Sequence, residues 1–319
     1  MYNTISYKTK QFLWLVIKLS IVIGCCTFIY LKVTGNEQIS FAHFYQNMSK
    51  NSLFTLKNAL LLTLFSLFNW FFEILKWRSL VSFIKPTSIF SAGVQSFAAL
   101  TTSLITPNRI GEYGAKALYF EKPYRKQIVG INLIGHMYQM GITLLFGLLG
   151  FGYIVFCRSI KINFNSVFNA LLLSLFLILV LLFSVKYFKS RWFSFQKARD
   201  FTKKIPKQLH LKVGLLSLVR YLIFSHQFYF LLCIFKINLP YITAISAITS
   251  VYFIASLVPI LSLLDFVLKG TVAVWIFSHF QVPAAPILSI TSLLWIFNFA
   301  LPAILGSYFV LSFKPIEAP

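Results

Sequence analysis

Apolar residues in this chain come in long blocks rather than in the alternation expected of a half-buried strand or an amphipathic surface helix. Leu, Ile, Val and Phe dominate stretches near 11–31, 58–80, 88–106, 108–121, 127–157, 164–185, 213–236 and 287–313, and the region 241–279 holds two more separated by Pro259. Blocks longer than about 18 residues with few charges predict transmembrane helices. The segments at 108–121 and 262–279 are too short or too polar for a full span. The pattern predicts an all-α polytopic membrane protein, a single integral membrane domain over 1–319 with no room for a large soluble domain.

Two of the blocks are broken in the same way, by a proline, then an acid, then a lysine four residues beyond the acid. The first break carries Pro107, Glu112 and Lys116, and the second carries Pro259, Asp265 and Lys269. A charge at bilayer depth costs roughly 2.5–3.5 kcal/mol on insertion scales, so its repeated use in matching settings points to a role. The four-residue step puts acid and lysine on one helix face, where they neutralise each other. The surroundings match as well. Each half has a long span, a proline turn (Pro86; Pro240), an Ala/Ser-rich segment, the second proline, the charged pair and a closing span. These define repeat 1 at about 58–157 and repeat 2 at about 213–313, with a basic connector at 186–212 between them.

Charge then orients the repeats. The chain has 29 basic and 7 acidic residues, a formal net charge of +22, and the basic residues flank the spans. That distribution reads as positive-inside topology and contact with anionic headgroups. It gives no support to nucleic-acid binding, because no reader fold is present. Lys8 and Lys10 place the N-terminus in the cytoplasm, followed there by Lys76, Arg78 and Lys85, by Lys122, Arg125 and Lys126, by the connector, and finally by Lys314. Arg158 and Lys161 run against this scheme, which leaves them outside. The two halves then face opposite ways, as an inverted repeat with two broken or re-entrant helical hairpins. The connector reads as a surface-lying segment with Trp192, Phe193 and Phe195 dipped into the interface. A docking surface for an acidic partner enzyme is the other reading. Cys25, Cys26, Cys157 and Cys233 lie in apolar runs without metal-ligand spacing, and no metal or cofactor is implied.

The residues that could carry chemistry cluster at the breaks. Thr106 and Pro107 predict a helix start whose positive end would suit a phosphate, and Arg109 adds a bidentate phosphate donor. Gly111 and Gly114 would let a helix or a headgroup approach the backbone closely. The competing reading of Arg109, Glu112 and Lys116 is an ion cluster that only pins two helices. At the second break Ser262 and Asp265 have capping-box spacing, so Asp265 could serve only to start a helix. Glu73, near Lys76 and Arg78, is expected to snorkel to the cytoplasmic interface, as is Arg220. Asn132, His136 and Gln139 form a polar stripe that either joins helices or lines a hydrophilic path, with His226 and Gln227 similar in their own span. His136 and His226 lack any spacing that would make them a metal pair. No phosphate loop, nucleophile elbow, paired-carboxylate or zinc motif occurs.

At TPNRIGEYGAKALYF the chain resembles the flippase-like membrane domain of lysylphosphatidylglycerol synthases and of many stand-alone bacterial membrane proteins. The pattern P-x-R-x-G-E is met by Pro107, Arg109, Gly111 and Glu112. The resemblance extends to Asn69, Trp70, Glu73, Lys76 and Trp77, to the Gln139 region and to the second proline segment. There the family tends to a Gly-rich stretch with a glutamate, whereas this chain reads PILSLLDFVLKG with Asp265. The resemblance implies movement of a cationic lipid between leaflets of the bacterial inner membrane. Aminoacyl transfer belongs to a soluble domain that follows in the synthases; this chain stops at Pro319, so that activity is not expected of it.

Together these readings predict a translocator of an anionic or aminoacylated phospholipid or glycolipid. Arg109 and Lys116 would hold the phosphate, Glu112 would balance them, and Asp265 and Lys269 would form the opposite gate. The alternative is a non-catalytic anchor or accessory subunit for a lipid- or glycan-modifying enzyme. An enzyme acting on lipid phosphates is disfavoured, since no free nucleophile stands beside the charged pairs.

Overall fold

A computed structural model describes residues 16, 18–20, 23–24, 27, 55–104, 106, 109–157, 195–258 and 262–314. Nearly all of the span expected at 11–31, the span at 164–185, most of the 32–57 linker, the first part of the basic connector, and Pro107 and Pro259 themselves lie outside the described residues. Every described element is helical. In chain order they are α1 (Leu56–Val81), α2 (Ile89–Leu104), α3 (Ile110–Leu118), α4 (Lys122–Cys157), α5 (Phe195–Lys204), α6 (Lys207–Ile234), α7 (Tyr241–Leu257), α8 (Ser262–Ser278), α9 (Ala284–Trp295) and α10 (Leu301–Ser312). A π-helical turn, Ile296–Ala300, joins the last two.

Among the described residues four helices are long and apolar enough to cross a membrane: α1, α4, α6 and the continuous rod Ala284–Ser312. The hydrophobic blocks therefore gave the right class, all-helical with several potential spans. By contrast α2 has 16 residues, α3 has 9, and α7 and α8 have 17 each. Each falls short of the about 20 residues that a straight span needs. Prolines mark three of the helix starts, with Pro206, Pro240 and Pro283 standing just before α6, α7 and α9 respectively. A missing N–H costs nothing there, because the first turn has no internal acceptor for it.

The helices are turned polar side in. On α1, Ser66, Asn69, Glu73 and Lys76 are buried, while Leu60, Leu64, Leu67 and Phe71 are exposed. In lipid an outward Leu loses nothing, whereas a polar group without a partner costs several kcal/mol. Small residues set the helix spacing. A Cβ on Gly306 of α10 would lie 2.2 Å from the Phe97 carbonyl oxygen and 2.3 Å from Thr101 Oγ1 of α2. A Cβ on Gly150 of α4 would lie 2.0 Å from Thr249 Oγ1 and 2.8 Å from the Ser246 carbonyl oxygen of α7. Thus α2 lies on α10, α7 lies on α4, and α1 packs along α6. In α5, Phe201 packs with Ile205, Trp77, Ile128 and Val213 at one end of the assembly.

The π-helical turn has a local cause. Pro302 has no N–H, so the carbonyl of Asn298, four residues earlier, loses its helical donor. Trp70 Nε1 donates to that carbonyl at 3.1 Å, and Ser66 Oγ donates to the neighbouring Phe297 carbonyl at 2.6 Å. Trp70→Phe is expected to cost about 1–3 kcal/mol, the penalty for a buried acceptor left unmet. Equilibrium unfolding in mixed micelles checks this, and unchanged stability would mean that the turn does not depend on the tryptophan.

Candidate functional site

The first break begins later than its proline suggests. Helix α3 starts at Ile110, and Arg109 stands before it with φ 57° and ψ 26°. This is left-handed backbone, which costs a residue bearing a Cβ about 1–2 kcal/mol. The N-cap position is therefore Arg109 and not Thr106, although Thr106 Oγ1 accepts the N–H of Gly111 in the first turn at 2.9 Å. Gly111 allows the close approach expected of it, since its Cβ would lie 2.5 Å from the Thr102 carbonyl oxygen of α2. A Cβ on Gly114 would meet nothing within 4 Å, so no helix closes on that glycine among the described residues.

Behind this start lies a buried ion cluster. Lys116 Nζ is 2.8 Å from Glu112 Oε1 and donates to Asn132 Oδ1 at 2.8 Å. It also stands 4.3 Å from the centre of the Trp77 ring, whose Nε1 donates to Gln95 Oε1 at 2.7 Å. His136 Nε2 reaches the same carboxylate oxygen of Glu112 at 3.0 Å. The cluster pins α3 to α4 and α1.

A second network forms where snorkelling was expected. Glu73 is buried, and its Oε2 takes Lys76 Nζ at 2.7 Å and Arg220 Nη1 at 3.0 Å. Arg220 also donates to Asn69 Oδ1 at 3.0 Å and to Gln139 Oε1 at 3.3 Å. Neither charge therefore reaches for the interface. The α1–α6 contact brings a carboxylate and a guanidinium together, and each satisfies the other better than a long reach through apolar packing could. Asn69 Nδ2 donates to Asn298 Oδ1 at 2.8 Å, and Asn298 Nδ2 donates to Gln227 Oε1 at 2.8 Å, so the π-helical turn joins the same network.

The second break carries Lys269 Nζ at 2.8 Å from Asp265 Oδ2, with about a third of each side chain exposed. The two breaks meet at one ring. Arg109 Cζ is 5.2 Å and Lys269 Nζ 5.5 Å from the centre of Phe299, on the π-helical turn. Beside it opens a cavity of about 570 Å³, lined on its polar side by Arg109, Asp265, Lys269, Asn69, Gln139 and Arg220.

Of the residues expected to bind substrate, Arg109, Gln139, Asp265 and Lys269 line this cavity. Glu112, Lys116 and His136 do not; they sit in the cluster behind it. The polar stripe of α4 is divided, Asn132 and His136 going to that cluster and Gln139 to the cavity. His226 is half-buried and pairs with Tyr241 Oη at 2.9 Å and the Leu222 carbonyl at 2.8 Å, neither of which is the Glu112 carboxylate that His136 meets. Among the described residues no three His, Cys, Asp or Glu side chains are grouped to hold a metal ion. Sequence reasoning missed Asn69, Asn298 and Phe299 as lining residues and misplaced Arg220. Asn69, Glu73 and Lys76 recur at four and three residues on one face of α1, a legible signal of an inward polar stripe. Phe299, one phenylalanine among 36, carries no such signal.

No protein-family model, no curated protein and no solved structure matches the chain.

Proposed function

We propose that the chain is a multi-pass lipid translocator of the bacterial inner membrane, with both termini cytoplasmic. It moves a lipid headgroup through the central cavity while the acyl chains stay in the bilayer. The observation that carries this reading is the meeting of Arg109 and Lys269, from two separate helix breaks, over Phe299 at the wall of one cavity. Charges from both breaks on one ring are what two gates closing on a common substrate require.

In this reading the two halves form an inverted repeat. The reciprocal packing of α2 on α10 and of α7 on α4, with α1 beside α6, supports it. Thr101 against Gly306 and Thr249 against Gly150 are the corresponding contacts. The short helices α2–α3 and α7–α8 are then broken or re-entrant hairpins. The resemblance to the flippase-like domain of lysylphosphatidylglycerol synthases belongs to the same proposal.

Arg109→Gly is the informative variant. Glycine suits φ 57°, so the fold is retained or slightly stabilised, while the guanidinium is removed. In liposomes carrying fluorescent phospholipids, wild-type protein is expected to move label between leaflets, and the variant to fall to the level of protein-free vesicles. A wild-type rate equal to protein-free vesicles, across anionic and cationic lipids, counts against translocation.

A further inference from the structure

Three features of the cavity bear on what it takes: the sign of its charge, the chemistry of its far wall and the place where it opens. Five cations gather around it and behind it, Lys76, Arg109, Lys116, Arg220 and Lys269, against the three carboxylates Glu73, Glu112 and Asp265. Counted over these lysines, arginines and carboxylates, the interior keeps two positive charges in excess. Buried charges such as Lys76 and Lys116 are screened less than exposed ones, so this excess is felt in the cavity. Among the described residues, three cations line the cavity itself, Arg109, Arg220 and Lys269, with one carboxylate, Asp265.

The far wall is apolar. Phe224 and Tyr252 stand edge to face at 4.9 Å, with Met140 and Val258 beyond them on the same lining. Met140, on α4, is 46% and Val258, just past the end of α7, 42% exposed, so this apolar part of the lining is accessible from outside the helix packing. A cavity made only for a small hydrophilic ion would have no such wall, and about 570 Å³ is several times the volume of a phosphate. Ligand pockets of roughly 300–1,000 Å³ hold molecules with an apolar body and a few fixed polar contacts.

We infer that the cavity binds an anionic amphiphile, a lipid phosphate whose anion lies between Arg109 and Lys269 and whose chain leaves along Phe224, Tyr252, Met140 and Val258. The inference rests on the translocator reading and narrows it. A net-cationic aminoacylated lipid would bring a further positive charge against three cations, so it is not the preferred substrate.

The test uses the full chain in a neutral maltoside detergent, with unfolding followed by tryptophan fluorescence. Dodecyl phosphate is expected to raise the unfolding temperature saturably. Arg109→Gly and Lys269→Ala should each move the midpoint of that titration at least about tenfold, equivalent to about 1.4 kcal/mol. Inorganic phosphate and dodecyltrimethylammonium at the same concentrations should give no shift. An equal response to the ammonium amphiphile, or a dodecyl phosphate response unaltered in Arg109→Gly, overturns the inference as mere detergent partition. A full response to inorganic phosphate overturns it in favour of a free-anion site. Arg109→Gly keeps the test decisive should Lys269→Ala fail to fold. Saturable binding without lipid movement in liposomes would remove the translocator reading and leave the site standing. Lipid movement with no preference for phosphate amphiphiles would do the reverse.

Discussion

Replacing Glu112 by glutamine is expected to destabilise the protein by about 3–5 kcal/mol, the cost of removing one partner from a buried ion pair. Lys116 has 2% of its side chain exposed and is held between Glu112 Oε1 and Asn132 Oδ1, each at 2.8 Å. With an amide in place of the carboxylate the ammonium keeps only neutral acceptors and a ring face, and it is too deeply buried to turn to water instead. His136 likewise faces an amide in place of the carboxylate it meets at 3.0 Å. The double variant Glu112→Gln, Lys116→Met removes both charges and fills similar space, so it is expected to recover most of the loss. Equilibrium unfolding of wild type and both variants in mixed micelles checks this. A double variant no more stable than the single one would show that the charge is not what the cluster holds in place. The same pair of variants separates structure from transport. Since Glu112 and Lys116 lie behind the cavity, the double variant is expected to keep lipid movement that Arg109→Gly abolishes.

Gly306→Ala is expected to cost 1–3 kcal/mol or more, and Gly150→Ala a comparable amount, the range for overpacking. The added carbon at Gly306 overlaps the Phe97 carbonyl oxygen at 2.2 Å, which is backbone and has no rotamer to move to. Helices α2 and α10 must separate, and Thr101 Oγ1 then loses the Ala303 carbonyl it bonds at 2.8 Å. Gly141→Ala provides the opposite sign on the same helix as Gly150. Its Cβ meets nothing within 4 Å, so it is expected to stabilise by about 0.4–1 kcal/mol through the lower entropy of the unfolded chain. Unfolding midpoints of the three variants test the reading directly. If all three changed stability in the same direction, close helix approach at Gly306 and Gly150 would not be the cause.

Legibility differs from one charged residue to the next. The acid–lysine pairs at 112/116 and 265/269 were readable because their spacing is a local property of the helix, and both pairs form at 2.8 Å. Their fates were not readable. The first is sealed with Asn132 and His136, whereas the second faces the cavity with about a third of each side chain exposed. Which one lines the cavity depends on what packs over α3 and what leaves α8 open. Glu73 and Arg220 are the clearest case. Each lies near the end of an apolar run, where a long side chain can reach the interface, so snorkelling was the reasonable expectation for either one alone. Only the contact of α1 with α6 makes them partners at 3.0 Å.

By itself the sequence determined that the chain is helical, that several of its helices can cross a membrane, and that proline segments interrupt two of its apolar blocks. These follow from hydropathy, from the absence of an N–H on proline and from the four-residue turn, which act within a few neighbouring positions. The tertiary structure alone decided that Arg109 and Lys269 share Phe299, that Arg220 turns inward, and that Asn298 ties the π-helical turn to α1 and α6. Each of these joins residues far apart in the chain. In lipid, helix rotation is set by polar groups finding one another across interfaces, and no single helix carries that information.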